Sequence, residues 1–175
     1  MDRAFAYEAK GRRFKSCLAR HIMNIHEIYM REALKEARMA FERDEVPVGA
    51  VIVYKGQVIA RAHNQIKMLK DPTAHAEMIA ITQGSAYLKN ERLNECSMYV
   101  TIEPCPMCAG AMVLGRIDTL CYAAEDPKSG AAGSVLNVLD NKKLNHKVKI
   151  FPGILKNESR LLIREFFKTK RNYSV

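Results

Sequence analysis

Two short segments of this sequence carry the side chains most suited to chemistry: His75-Ala76-Glu77 and Pro104-Cys105-Pro106-Met107-Cys108. Each falls at the expected start of a helix. Cysteines three apart at a helix start point the same way, and two thiolates with one imidazole suit tetrahedral zinc while leaving its fourth position for water. Helix N-termini also favour thiolate over thiol, so the local electrostatics agree with the donor types. Three protein ligands describe a catalytic zinc; a structural zinc normally takes four, and His63 and Cys96 are the nearest candidates for closing such a site. Positions two apart lie on roughly opposite faces of a regular helix, so His75 and Glu77 can approach one site only near a helix end. Taken alone, Glu77 reads as a solvated helix residue; beside His75 it reads as an acid/base.

The elements that must position these residues follow from period and punctuation. Asn24 and Glu27 resemble a capping box, and Met30, Ala33, Leu34, Ala37, Ala40 and Phe41 recur at helical spacing, so a first helix is expected to about Arg43. Val48 to Tyr54 and Gln57 to His63 read as a hairpin about the Lys55-Gly56 turn. A second helix is expected over Ala74 to Tyr87, after capping chemistry at Asp71-Pro72-Thr73, and a third from near Pro106 to Leu114. Further strands are expected over Ser97 to Glu103, Asp118 to Ala124 and Lys147 to Phe151, with the Gly-rich stretch from Asp126 to Ser134 as a loop. The chain should close with an amphipathic helix over Leu155 to Lys170, with Leu155, Leu162, Phe166 and Phe167 inward. Strands alternating with helices after an initial hairpin give an α/β fold: a three-layer α/β/α sandwich with a central five-stranded mixed sheet. Residues 23–175 form one domain on this reading, with residues 1–22 as an appendage, disordered or an upstream start.

Composition sets the outer bounds. The 175 residues are 48% hydrophobic and 27% charged, the profile of an ordinary soluble domain large enough to build a core without disulfides. Five cysteines, an odd number, imply free thiols and a reducing compartment, so the expected location is cytoplasmic. No apolar run approaches a membrane span. The net charge of +9 is unevenly placed: residues 142–175 carry ten basic and two acidic side chains, whereas residues 23–141 carry twelve and fifteen. A basic tail on a mildly acidic body is a footprint of a polyanion partner, or a solvated face that keeps the protein soluble.

With the flanking Pro104, the two motifs resemble those of the zinc-dependent nucleoside and nucleobase deaminases. Across residues 23–171 the chain resembles more narrowly the bacterial tRNA-specific adenosine deaminases, of the cytidine/deoxycytidylate deaminase superfamily. The likeness rests on Val46-Pro47-Val48-Gly49-Ala50-Val51, His63-Asn64, the segment from Asp71 to Glu77, that from Thr101 to Met112, and Ser129-Gly130-Ala131-Ala132-Gly133-Ser134. It implies a cytidine deaminase-like fold and one zinc per subunit, held by His75, Cys105 and Cys108. Glu77 would be a proton shuttle and not a ligand, and the reaction hydrolysis of the wobble adenosine of a tRNA anticodon to inosine. It further implies that Asn64 bonds the flipped base and that Asp126 lies near the ribose; Val48, Ala76 and Met107, as apolar neighbours of the motifs, are expected to line the pocket. The partners it implies are a tRNA anticodon stem-loop, reached by Lys168, Lys170 and Arg171 on the basic C-terminal helix, and a second copy in a homodimer. Without the resemblance, Asn64 and Asp126 could equally be turn residues.

Two other functions use the same residues. A deaminase of free guanine or cytosine would need the same zinc motifs, and the basic tail with the Ser129 to Ser134 loop favours tRNA over it. A zinc-stabilised RNA-binding module without catalysis would keep the ligands and have no need of a carboxylate at Glu77.

Overall fold

The computed structural model describes residues 25–172, so the expectations for residues 1–22 and for a cap at Asn24 lie outside the described residues. Residues 25–42 form the first helix, α1. Strands β1 (Gly49–Tyr54) and β2 (Gln57–His63) make the expected hairpin, and both residues of its turn, Lys55 and Gly56, have positive φ. A one-turn helix absent from the sequence reading, α2 (Ile66–Leu69), follows. The chain continues through α3 (Ala76–Leu88), β3 (Cys96–Ile102), α4 (Pro106–Leu114), β4 (Thr119–Ala124), β5 (Lys149–Pro152) and α5 (Lys156–Asn172).

The five strands form one mixed sheet in the order β2-β1-β3-β4-β5. β1 is antiparallel to both β2 and β3, while β3, β4 and β5 are parallel. Alternate residues of each strand feed opposite faces, as the two-residue strand period requires. Ile52, Met98, Val100 and Leu120 pack beneath α3 and α4 with Ala80, Ala109 and Met112. Val51, Val53, Tyr99 and Cys121 face the other way, against Met30 and Ala33 of α1. α5 covers that second face beside α1, with Phe166 edge-on to Phe41 at 5.7 Å between ring centres and the Ser159 hydroxyl donating to the Thr101 carbonyl. These are the three layers expected.

The parallel β3 and β4 run side by side and end at the same edge, where α3 and α4 also begin. In parallel α/β sheets that carboxyl edge is where ligands bind. Gly49 lets α1 close over β1: a side-chain carbon there would collide with the Ala33 carbonyl and the Ala37 amide.

Candidate active site

His75 is the last extended residue before α3 (φ −71, ψ 151), and Glu77 sits in the first helical turn. This off-helix position is what allows two side chains separated by one residue to serve one site. Asp71 shapes the approach: its Oδ1 accepts both the amide and the hydroxyl of Thr73, each at 2.7 Å. The polar cluster expected to cap the helix is therefore spent on the loop that delivers His75, and α3 begins two residues later than its apolar run suggested. α4 repeats the device, with Cys105 extended ahead of the helix (φ −73, ψ 171), Pro106 opening it and Cys108 within its first turn.

The His75 Nδ1 lies 3.7 Å from Cys105 Sγ and 3.5 Å from Cys108 Sγ, and the two sulfurs are 3.7 Å apart. A tetrahedral zinc, with bonds of about 2.3 Å to sulfur and 2.0–2.1 Å to nitrogen, has donor-to-donor edges of about 3.5–3.8 Å. The donor set therefore fits zinc in both chemistry and spacing. Among the described residues this is the one His, Cys, Asp and Glu group so gathered. His63 is engaged elsewhere, with Nδ1 3.0 Å from Glu36 Oε2 and Nε2 2.8 Å from Arg43, and Cys96 is buried with its thiol pushed up to about 11 by desolvation. Neither closes a four-ligand site. The hydrogen bond between the Cys105 and Cys108 sulfurs, with His75, pulls the Cys105 thiol down to about 4, towards the thiolate that a metal would bind.

Glu77 is 2% exposed. Burial raises its pKa above the usual carboxylate range, outweighing the opposing pulls of a backbone hydrogen bond and of His75, with a lesser push upward from the charge on Cys105. With His75 and Cys105 it lines a cavity of about 190 Å³ whose wall also includes Val48, Asn64 and Asp126. Ala76 is fully buried in the core between α3 and the sheet, and neither it nor Met107 is among the lining side chains. Asp126 Oδ1 accepts from the Lys128 amide at 2.9 Å and its Oδ2 from the Ser129 hydroxyl at 2.5 Å, so this carboxylate both forms the turn and faces the cavity.

The basic C-terminus divides. Lys168 and Arg171 are exposed, whereas Lys170 pairs with Asp44 and stands 5.5 Å from the centre of the Phe166 ring. Lys170 thus ties α5 to the end of α1. Phe167, expected inward, is 47% exposed and lines a second cavity of about 650 Å³ with Arg160, Arg164 and Asp126. Asp126, Ser129, Val46 and Ile102 line both cavities, which meet there.

Two buried carboxylates escaped the sequence reading. Glu45 Oε2 accepts from Asn64 Nδ2 at 3.1 Å while its Oε1 accepts the Lys67 and Met68 amides at 2.7 and 2.9 Å. Because a carboxylate can only accept, the Asn64 amide nitrogen is fixed on Glu45 and its Oδ1 is left for a ligand. Glu103 is the second, tied to the loop that carries Asp126. Their partners are mostly backbone amides more than twenty residues away in the chain, for which no residue type gives a signal.

A buried carboxylate beside a His-Cys-Cys donor set, at the carboxyl edge of a mixed sheet, defines a hydrolytic deaminase, and the MafB19-like deaminase family model matches residues 24–171. The chain belongs to this family, among the tRNA-specific adenosine deaminases. It is 50% identical to the tRNA-specific adenosine deaminase of Aquifex aeolicus (strain VF5), over 83% of this chain and 96% of the relative. The Bacillus subtilis (strain 168) tRNA-specific adenosine deaminase is 44% identical over 85% and 92%. A solved structure from studies of A-to-I editing by tRNA:A34 deaminases at the wobble position superimposes with a TM-score of 0.74 at 45% identity, covering 77% of this chain and 97% of that one.

Proposed function

We propose that this chain hydrolyses adenosine to inosine at the wobble position of a tRNA anticodon, position 34, the activity for which its relatives are named. The observation that carries the reading is Glu77, a buried carboxylate beside His75, Cys105 and Cys108 in a cavity that Asn64 and Asp126 also line. Held by those three donors, one zinc ion would lower the pKa of a coordinated water towards neutrality.

The chain's own residues do the rest. Glu77 accepts a proton from the water that adds to C6 of adenine, returns it to ring N1, and assists departure of the amino group as ammonia. One water is consumed and one ammonia released. The raised pKa of Glu77 makes it a stronger base than an exposed glutamate, suited to a proton that must come and go near neutral pH. Asn64, held by Glu45, offers Oδ1 to the base edge, and Asp126 accepts from the ribose 2′-hydroxyl. A cavity of about 190 Å³ takes a single base, so the adenosine enters unstacked, as a loop nucleotide can. The second cavity, with Arg160, Arg164 and Phe167, offers charge and an aromatic face to neighbouring nucleotides.

We read residues 23–175 as one deaminase domain acting in the cytoplasm, where a thiolate site stays reduced. No described helix is long and apolar enough to cross a membrane. We read the enzyme as a homodimer, to which Leu114, 82% exposed at the end of α4, offers apolar surface. The deciding experiment incubates the zinc-loaded protein with an anticodon stem-loop carrying adenosine 34, beside free guanine and free cytosine. Inosine at that position is expected; turnover of a free base with no inosine in the loop would overturn the reading.

A further inference from the structure

Glu103 is 1% exposed and lies between β3 and the donor Cys105, yet it faces the loop across the site. Its Oε1 accepts the Ala132 amide at 2.9 Å and the Ser134 amide at 3.0 Å, and its Oε2 accepts the Asp126 amide at 3.1 Å and the Ser134 hydroxyl. Four donors from one loop converge on one carboxylate. The adjoining Pro104 carbonyl takes a fifth, the Ala131 amide at 2.8 Å. Gly130 passes so close that a side-chain carbon there would strike the Glu103 carboxylate and the Asp126 carbonyl.

A carboxylate can satisfy four donors because it offers about four lone-pair positions and donates nothing. No neutral side chain of this size does the same: glutamine keeps one acceptor oxygen and turns an NH2 group towards amides that also donate. The segment from Asp126 to Ser134 is otherwise a loop with little regular structure of its own. Its two ends are gathered on a side chain two residues from a metal donor.

From this convergence we propose that Glu103 is a positioning residue for sugar recognition, holding Asp126 and Ser129 at a fixed distance from the metal donors so that the enzyme reads the ribose of its nucleotide. Glu103 also lines the cavity that takes the base, but both of its carboxylate oxygens are engaged by the loop, so its role runs through Asp126 and Ser129. The inference rests on the reading of Asp126 as the acceptor of the 2′-hydroxyl.

The test compares Glu103→Gln with the unsubstituted enzyme on two stem-loops, one all-RNA and one with 2′-deoxyadenosine at the target position, with zinc content measured alongside. Zinc should stay stoichiometric. The RNA-to-deoxy ratio of kcat/KM should fall by about tenfold or more, the equivalent of one charge-assisted hydrogen bond, through a rise in KM more than a loss of kcat. Asp126→Asn should lower the same ratio. An unchanged ratio in a folded, zinc-loaded Glu103→Gln protein would overturn the proposal, as would a loss confined to kcat. Should that variant fail to fold, Ser134→Ala removes one of the four donors and is read the same way, with a fall of a few-fold expected and an unchanged ratio counting against the proposal. If the unsubstituted enzyme makes no inosine in the RNA loop, the functional reading fails; if it does, and Asp126→Asn lowers the ratio while Glu103→Gln does not, this inference alone fails.

Discussion

At the scale of single residues, the proposed function divides the site between side chains that would hold a metal and one that would move a proton, and substitution should separate them. Glu77 is no part of the His75, Cys105 and Cys108 donor set, so Glu77→Gln should bind zinc stoichiometrically and keep the fold. Its kcat should fall by about 10² to 10⁴, the usual contribution of a positioned acid/base. Loss of metal from that variant would make Glu77 a ligand. Cys105→Ser and Cys108→Ser should instead lose zinc and activity together, measured by metal analysis on the same samples used for kinetics, because each removes a thiolate from a three-donor set. A fully metallated, active serine variant would contradict the assignment. Both expectations rest on residue types and spacing that the sequence displays openly. Nothing comparable announces Glu45 or Glu103, whose roles exist only once distant backbone amides have been folded onto them.

At the scale of elements, the hairpin, the alternating strands and the two helices that open at Ala76 and Pro106 were legible because each has a period and a turn or proline to bound it. α2 was not, since four residues are too few to show any period. The start of α3 was misplaced by two residues because Asp71 and Thr73 bond each other instead of the helix. Phe167 was expected inward on helical period alone; Phe166 takes the buried position against Phe41, and Phe167 turns to the groove beside Asp126. The need for Gly49 was equally hidden, because it arises from how closely α1 crosses β1. Its collision there is with backbone atoms, which cannot swing aside as a side chain would. Gly49→Ala should therefore cost at least about 1–3 kcal/mol, the range for overpacking a tight core. In a domain of this size that is a fall in melting temperature of several degrees, roughly 2–4 °C per kcal/mol. An unchanged melting temperature would mean that α1 shifts freely, and that the spacing between α1 and the sheet is not fixed at Gly49.

At the scale of the whole molecule, the uneven charge seen in the sequence becomes a surface next to the site. The basic residues of α5 follow one helix that begins beside Glu125, where Lys156 and Arg160 pair with that carboxylate at 2.5 and 3.0 Å, and runs past the cavity shared by Arg164 and Phe167. The structure alters which of these charges should meet RNA. Lys170 is committed to Asp44 and to the Phe166 ring, so its removal should loosen α5 against the end of α1 and lower thermal stability as well as binding. Lys168 and Arg171 are exposed and offer the cleaner measurement. Each phosphate contact to a single-stranded loop releases counterions, so replacing both by Ala should flatten the slope of log K against log salt by up to about 1.4, at about 0.7 per contact. Binding at fixed salt should weaken, while kcat at saturating stem-loop should change far less, because neither residue lies in the cavity lined by Glu77. A salt slope that stays put would make the exposed end of α5 a solubility face and move the search for phosphate contacts to Arg160, Arg164 and Lys128 around the second cavity.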